Sequence, residues 1–483
     1  MSEWPRDRVA LAFEDQEWTH GRLDDLAGGY AAALAARGVK PGDRVALMGS
    51  NRPEWVAAVL AIWRAAAAVA LFSPSWKQAE TEHAIRIVSP ACGIGDHPVL
   101  PGLLPVLGFD EKLPDASAAP GPAPASADSE AVLVFSSGTT GLPKAVRHTH
   151  GSFGAAIGHW RDCLELTEDD RMQVTTPPSH ILGILNIATC LELGIWMRLH
   201  PRFDLDRVLA CVEADRITVE MAVAPIALAM ANHPHLEDYD LSSLRFIMWG
   251  ATPVTASVAE AVTRRTGVPW VPAYGASENP VIACNPVRGG RLDSVGKAVP
   301  GVELRVVSLE DGSVLPAGET GEIQLRSPSL MTGYLPEPET ALSMDGGWYR
   351  TGDVGYVEPE GWIHLTDRSK EMIKVRGFQV APAEVEGVLL GHEAVSDAAV
   401  FGVPDEASGE AIIAAVVLSP QAAPLKDHGA ALMNHVADRL ASYKKPREVL
   451  IVDAIPRLAS GKALRRVLKD SYLKEDDGRT TVG

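Results

Sequence analysis

Residues 135–150, FSSGTTGLPKAVRHTH, combine hydroxyl side chains, glycines and a lysine in one short stretch. The apolar run 131–135 predicts a strand that ends where the small residues begin. Backbone N–H groups in such a turn converge on one point, glycines permit unusual dihedral angles, and a lysine adds a mobile positive charge. The stretch therefore predicts an anion-binding loop. Its candidate residues are Ser136, Ser137, Gly138, Thr139, Thr140, Gly141 and Lys144.

This loop is not a Walker phosphate-binding loop, because that motif needs Gly directly before the Lys and Ser or Thr directly after it. Pro143 and Ala145 stand at those two positions. Taken alone, the stretch favours an ordinary Ser/Gly-rich turn, and it is also compatible with a phosphotransferase, which would release ADP. The residues elsewhere in the chain must distinguish these interpretations.

The composition is that of a globular protein, 46% hydrophobic and 22% charged over 483 residues. A net charge of −18 argues against a nucleic-acid or membrane partner, since both need a broad basic surface. The five cysteines are scattered without CxxC spacing, which favours a reduced, cytoplasmic location. The most apolar segment, 56–73, contains Arg64 and indicates a buried helix followed by a strand.

Helix and strand patterns alternate along the chain, which predicts an α/β fold with parallel-rich sheets flanked by helices. Towards the C-terminus the patterns indicate a helix, two strands and a helix, enough for a small α+β domain. Pro382 and Gly391 mark the expected start and end of its first helix. We predict an N-terminal domain over 1–366, a hinge over 367–370 and a C-terminal domain over 371–483.

Six further motifs follow the loop in order: PPSHILG, WGATP, YGASE, GWYRTGDVGY, DRSKEMIKVRGFQVAPAEVE and PRLASGKALRR. With the loop they span residues 135–466, and the chain resembles the adenylate-forming (AMP-binding) superfamily, in particular its acyl-CoA synthetases and aryl-CoA ligases. The resemblance implies that a carboxylic acid and MgATP give acyl-AMP and pyrophosphate, after which coenzyme A displaces AMP. The implied cofactors are ATP (or acyl-AMP), Mg²⁺ and coenzyme A. The oligomeric state stays open.

The resemblance also assigns nucleotide contacts. Tyr274 would stack on adenine, and Glu278 would act as a catalytic residue that holds Mg²⁺ with a hard carboxylate. Asp353 and Arg368 would bind the ribose, although these two could equally form a structural ion pair. The remaining implied nucleotide-binding positions are Gly250, Ala251, Thr252, Gly275 and Ser277.

Lys462 is the implied catalytic cation, which would orient the acid and stabilise charge during attack on the α-phosphate. Lys370 would be the hinge of a mobile C-terminal domain that alternates between the two half-reactions. Gly377 and Lys374 would then face a tunnel for the pantetheine thiol. For Lys374, a polar linker followed by a turn is the alternative interpretation.

The acid-binding pocket is implied to contain His180, a further catalytic candidate at its mouth, and Trp249. Trp249 replaces the small residue that is usual in the family, so it either walls the pocket or simply packs in the core. The amino-acid-activating branch carries an Asp that this chain lacks in SHILG. We therefore expect an acyl or aryl acid rather than an amino acid.

Ala145 departs from the family pattern, which has Gly directly after the lysine. A methyl group there would displace the triphosphate or Lys144, which predicts impaired adenylation. The alternative function is then a ligase that converts a preformed acyl-AMP, supplied by a separate adenylating enzyme, to acyl-CoA. A catalytically silent acyl-nucleotide-binding protein is a further alternative.

Overall fold

The computed structural model describes residues 4–137, 143–250, 256–368, 371–375, 378–405, 408–420, 422, 427–457 and 463–480. The strands up to residue 368 are β1 (Val9–Phe13), β2 (Gln16–Thr19), β3 (Arg44–Leu47), β4 (Ala68–Leu71), β5 (Cys92–Ile94), β6 (Val106–Leu107), β7 (Glu130–Ser137), β8 (Pro143–Thr149), β9 (Arg171–Val174), β10 (Trp196–Leu199), β11 (Val219–Ala222), β12 (Phe246–Trp249), β13 (Trp270–Tyr274), β14 (Ala283–Cys284), β15 (Lys297–Ala298), β16 (Glu303–Val307), β17 (Gly321–Arg326), β18 (Gly333–Leu335), β19 (Met344–Asp345), β20 (Trp348–Val357) and β21 (Ile363–Arg368). The α-helices of this part are α1 (His20–Ala36), α2 (Pro53–Arg64), α3 (Gln78–Val88), α4 (His150–Cys163), α5 (Ile181–Leu193), α6 (Leu205–Asp215), α7 (Ala224–Ala231), α8 (Ala256–Thr266) and α9 (Pro338–Leu342).

The part that follows residue 370 is smaller. Its strands are β22 (Ile373–Val375), β23 (Phe378–Val380), β24 (Val395–Asp405), β25 (Gly409–Leu418) and β26 (Glu448–Ile451). Its helices are α10 (Pro382–Leu390), α11 (His428–Ala437) and α12 (Arg465–Thr480). The predicted helix between Pro382 and Gly391 is confirmed, with Gly391 as its C-terminal cap.

Within the described ranges the strands form four sheets. The first has the order β15-β14-β13-β12-β11-β9-β10-β1-β2, and the second has the order β18-β8-β7-β4-β3-β5-β6. In both, the inner strands pair in parallel and the strands at one or both ends pair antiparallel. The third sheet contains β16, β17, β19, β20 and β21, and the fourth contains all five strands after residue 370. The predicted α/β fold is therefore confirmed.

Local sequence explains why the first two sheets are buried. In α2, Pro53 occupies the first turn, where it costs no hydrogen bond. All residues from Pro53 to Ile62 except Glu54 are buried. The following β4, AVAL, is buried on both faces, as a central parallel strand should be. The expected helix and strand over the apolar segment 56–73 are thus found. Of the helices described here, none has the length and apolar character to cross a membrane.

Three features of this architecture position the candidate site. The parallel neighbours β12 and β13 end at Trp249 and Tyr274, so their carboxyl ends lie at one edge of the first sheet. The antiparallel pair β7 and β8 flanks the predicted anion-binding loop, and β18 adds to the free side of β8. In the third sheet, β20 pairs with β21 so that Asp353 lies opposite Arg368.

Sheet membership changes between Arg368, which ends β21, and Ile373, which begins β22 in the fourth sheet. Lys370, the predicted hinge residue, lies outside the described residues. The domain limits at residues 366 and 370 stay predictions.

Candidate active site

A cavity of about 1110 Å³ lies between the ends of the first sheet, the β7–β8 pair, the third sheet and the part after residue 370. Its lining includes the largely apolar group Trp160, His180, Leu185 and Trp249. It also includes the polar side chains of Ser136, Lys144, Tyr274, Glu278 and Asp353. The fold thus brings together groups that are far apart in sequence.

The predicted adenine and ribose residues are in direct contact. The Tyr274 hydroxyl donates to Oδ2 of Asp353 at 2.5 Å, and both side chains are buried. Tyr274 ends β13, whereas Asp353 lies in the middle of β20, so two different sheets meet at this hydrogen bond. The contact fixes the orientation of the carboxylate. The side chain of Arg368 is not described, and its role stays a prediction.

Glycine is required at one of the nucleotide-binding positions. A Cβ atom on Gly275 would lie 2.0 Å from the carbonyl oxygen of Pro280, which no side chain can accommodate. Gly250 has more room, since the nearest atom to a Cβ would be Met248 Sδ at 3.3 Å. Both glycines line the cavity. Ala251 and Thr252 lie outside the described residues.

Ser136 on β7, which is predicted to bind phosphate, lies opposite Lys144 on β8. The hydroxyl of Ser136 is buried, and it has no hydrogen-bond partner among the described residues, as expected for a group whose partner is a ligand. Nζ of Lys144 lies 3.2 Å from Oε2 of Glu339 and 4.0 Å from the centre of the Tyr334 ring. The other four predicted loop residues, Gly138, Thr139, Thr140 and Gly141, lie outside the described residues, and the Ser137 side chain is not described.

Two residues that the sequence did not single out, Tyr334 and His148, form hydrogen bonds with Glu278 and with its neighbour Ser277. The Tyr334 hydroxyl donates to Oε1 of Glu278 at 2.8 Å. Nε2 of His148 lies 2.7 Å from the carbonyl oxygen of Ser277. Burial lowers the pKa of His148 to about 4, so its ring is neutral at pH 7 and donates to this carbonyl through Nε2–H. Only the location of His148 inside the loop motif could have drawn attention to it.

A metal ion in this cavity would depend on the nucleotide for part of its ligands. Among the residues that the structure describes, no group of three or more His, Cys, Asp or Glu side chains could hold a metal ion alone. Glu278 nevertheless offers a hard oxygen ligand beside Lys144 and Ser136, and a Mg²⁺ that keeps phosphate and water oxygens needs few protein ligands. The residues present therefore fit an ion that arrives with ATP.

The hypothesis about Ala145 is wrong in its physical premise. Ala145 lies in β8, paired with Phe135 and Leu335, and its side chain is fully buried. The methyl group belongs to an apolar cluster with Ala70 and Leu133, and it does not line the cavity. Successive side chains of a strand point to opposite faces, so Lys144 faces the cavity and Ala145 faces away from it. The part of the chain that the structure describes gives no steric reason for Ala145 to impair adenylation.

We therefore expect Ala145→Gly to leave pyrophosphate release within about twofold of the parent protein. The substitution should instead lower the free energy of unfolding by about 1–2 kcal/mol, because it removes a buried methyl group and loosens a strand. Ala70→Gly, at an equally buried position of the same cluster, is the matched control. A large rise in pyrophosphate release for Ala145→Gly alone would restore the steric hypothesis.

His180 and Trp249, the two predicted acid-pocket residues, both line the cavity. His180 precedes α5 as its N-cap, and its Nδ1 accepts from the backbone N–H of Leu182 at 3.3 Å. Burial lowers the pKa of His180 to about 4, so the imidazole is neutral at pH 7. Trp249 is 1% exposed and packs on Trp270 with ring centres 5.2 Å apart. Trp249 therefore lies in the core and walls the cavity at the same time.

The part after residue 370 contributes charged groups to the cavity wall. Arg457 pairs with Asp397 at 2.6 Å, and Arg465 pairs with Glu386 at 2.9 Å. Lys462 and Gly377 lie outside the described residues. Lys374 is exposed and does not line this cavity; it borders a second one of about 490 Å³ together with Arg350. Its assignment to a thiol tunnel stays a prediction.

Comparison with known proteins matches two family models to this chain. The AMP-binding enzyme family matches residues 1–335, and the AMP-binding enzyme C-terminal domain matches residues 384–462. The chain is 35% identical to 4-coumarate–CoA ligase-like 9 of Oryza sativa subsp. japonica, over 97% of this chain and 90% of that protein. It is 34% identical to the indoleacetate–CoA ligase of Aromatoleum aromaticum, over 96% of each.

A solved structure is similar over the same extent. The o-succinylbenzoate CoA synthetase from Bacillus subtilis, in complex with its acyl-adenylate intermediate, superposes with a TM-score of 0.85 and 30% sequence identity. The match covers 96% of this chain and 95% of that one. The protein belongs to the family of AMP-binding, adenylate-forming enzymes.

Proposed function

We propose that the protein is an AMP-forming acyl-CoA ligase that activates an apolar aryl or acyl acid with ATP and transfers the acyl group to coenzyme A. The observation that carries the proposal is that one cavity is lined by the Tyr274–Asp353 pair, by Lys144 and Glu278, and by apolar side chains. The formation of an acyl-CoA is supported by the CoA ligases to which the chain is similar over nearly its whole length.

In the first half-reaction, Tyr274 and Asp353 would hold the adenosine, and Ser136 and Lys144 would bind the phosphates. Bound Mg²⁺ would neutralise phosphate oxygens, with Glu278 as its protein ligand. Lys462 would orient the substrate carboxylate for in-line attack on the α-phosphate. The products of this step would be acyl-AMP and pyrophosphate.

In the second half-reaction, the thiol of coenzyme A attacks the acyl carbon and AMP leaves. We propose that acid and thiol meet at His180, which lines the cavity and whose neutral ring adds no charge that would hinder an apolar acid. We propose that the part after residue 370 rotates between the two steps, because its charged pairs Arg457–Asp397 and Arg465–Glu386 now border the cavity in which the adenylate would form. Lys370, Lys374 and Gly377 keep the roles assigned from the sequence as part of this proposal.

The acid itself is proposed to be aromatic and uncharged away from its carboxylate. The described lining of the cavity includes the apolar side chains of Leu185, Leu228 and Trp249. A hydrophobic pocket of this kind gives binding energy to rings and leaves a charged or amino group unpaired. One of the relatives named above acts, by name, on indoleacetate, an acid that carries an aromatic ring.

Trp249→Leu tests which residue limits the pocket. We expect the ratio of kcat/KM for a bulky aryl acid to that for a small one to rise roughly tenfold, since pocket contacts of this size contribute about 1–3 kcal/mol. Trp270→Leu is the control, because Trp270 packs against Trp249 but does not line the cavity. Equal ratios in the two variants would mean that Trp249 only packs in the core.

The proposed function is tested by a paired assay on the purified protein. One arm measures AMP and pyrophosphate release from MgATP with a panel of aryl and aliphatic acids, with and without coenzyme A. The other measures acyl-CoA formation from synthetic acyl-AMPs. Turnover in both arms is expected. Turnover of synthetic adenylates alone would favour the thioester-forming enzyme, and turnover in neither would favour the silent acyl-nucleotide-binding protein.

A further inference from the structure

Tyr334 contacts both of the groups assigned to the triphosphate end. It lies in β18, opposite Val146 of β8, and its side chain is buried at the cavity wall. The hydroxyl is 2.8 Å from Oε1 of Glu278, and the ring centre is 4.0 Å from Nζ of Lys144. One side chain therefore contacts both a carboxylate and an ammonium group.

The direction of the hydrogen bond follows from chemistry. An ionised carboxylate only accepts, so the Tyr334 hydroxyl donates its proton to Glu278. The Tyr349 hydroxyl, 3.1 Å away, must then donate to the oxygen of Tyr334. The hydroxyl of Tyr334 is thus held between Tyr349 and Glu278, which gives its bond to Glu278 a fixed direction.

The ring of Tyr334 acts on the other partner. An ammonium group over an aromatic face is attracted by the ring quadrupole, and this attraction leaves its N–H donors available. Lys144 directs its Nζ towards Glu339 at 3.2 Å in this structure. A phosphate oxygen can take that place while the ring still holds the ammonium group in the cavity.

We infer that Tyr334 is a positioning residue for the triphosphate, which orients Glu278 through its hydroxyl and Lys144 through its ring. This inference rests on the proposed function, because it assigns Glu278 and Lys144 to the metal and phosphates of ATP. It predicts an effect confined to the step that uses the triphosphate. Acyl-AMP has lost the β- and γ-phosphates, so the thioester-forming step does not need Tyr334.

Tyr334→Phe removes the hydroxyl and keeps the ring. We expect the MgATP concentration that half-saturates pyrophosphate release to rise roughly tenfold, as for the loss of one hydrogen bond to a charged group. Binding of Mn²⁺ in the presence of a non-hydrolysable ATP analogue, followed by electron paramagnetic resonance, should weaken by a similar factor. Acyl-CoA formation from synthetic acyl-AMP should stay within about twofold of the parent protein.

Tyr356→Phe is the matched control, because Tyr356 lies in β20, stacks on His364 and does not line the cavity. Unchanged Mn²⁺–nucleotide binding in Tyr334→Phe would overturn the inference, as would an equal loss in the step from acyl-AMP. If the parent protein released no pyrophosphate with any acid, the proposed function would fail. The Mn²⁺ measurement would still decide the role of Tyr334.

Discussion

Lys462→Ala is expected to lower acyl-AMP formation by about a hundred- to a thousandfold, the usual cost of removing one group that stabilises transition-state charge. Arg457 and Ala463, which flank the segment containing Lys462, both line the cavity. The ion pairs Arg457–Asp397 and Arg465–Glu386 fasten the chain on either side of that segment. Pyrophosphate release in the presence of the best acid from the panel measures the effect.

The same variant should convert synthetic acyl-AMP to acyl-CoA at close to the parental rate, because the α-phosphate chemistry is then already complete. Lys469→Ala, seven positions further along and only weakly paired with Glu410 at 3.9 Å, is the matched control. Equal losses in both half-reactions would contradict the assigned role of Lys462. So would normal pyrophosphate release.

Asp353→Asn is expected to impair both half-reactions, in contrast to Lys462→Ala. The adenosine group is bound in each step, and the carboxylate would accept from two ribose hydroxyls. At about 1.5–3 kcal/mol for each charged hydrogen bond, partial loss of these contacts should lower kcat/KM roughly tenfold to a thousandfold. Calorimetric titration with AMP should show a weakening of the same order.

Asn retains the shape of the side chain and can still accept from the Tyr274 hydroxyl, so the protein should remain folded. Asp311→Asn, in an exposed turn where the carboxylate accepts from Ser313, controls for the loss of one negative charge. Unchanged AMP affinity for Asp353→Asn would indicate that Asp353 forms only a structural contact. It would also remove the principal argument for the position of the ribose.

Sequence periodicity was sufficient for the fold class and for several individual elements. The limits of α10 follow from Pro382 and Gly391, because a proline fits the first turn and a glycine ends a helix easily. The buried helix and strand over 56–73 follow from uninterrupted apolar character. Such features depend on neighbours in the chain, which the sequence displays directly.

The contacts that complete the site depend on residues far apart in the chain. His148 and Ser277 are 129 residues apart, and Lys144 and Glu339 are 195 apart. No local pattern marks Tyr334 as the partner of Glu278, because its role arises from the pairing of β18 with β8. Motif order could identify the class of enzyme, but strand pairing was needed to find these supporting groups.

Ala145 shows that sequence position can also suggest a contact that the geometry of a strand does not allow. Its position after Lys144 suggested contact with the nucleotide, since adjacent residues in a loop can share a ligand. In a strand, however, adjacent side chains lie on opposite faces. The register of β8 with β7 and β18 therefore reverses the conclusion that sequence position alone had favoured.

The position of β18 also determines how late during synthesis of the chain the site can be assembled. A ribosome that has synthesised β8 must add nearly two hundred further residues before Gly333–Leu335 can pair with it. Until then β8 is an open sheet edge, which in a nascent chain invites pairing with other chains. The support for Glu278 and Lys144 is thus completed late, and a fragment that stops before residue 333 would lack it.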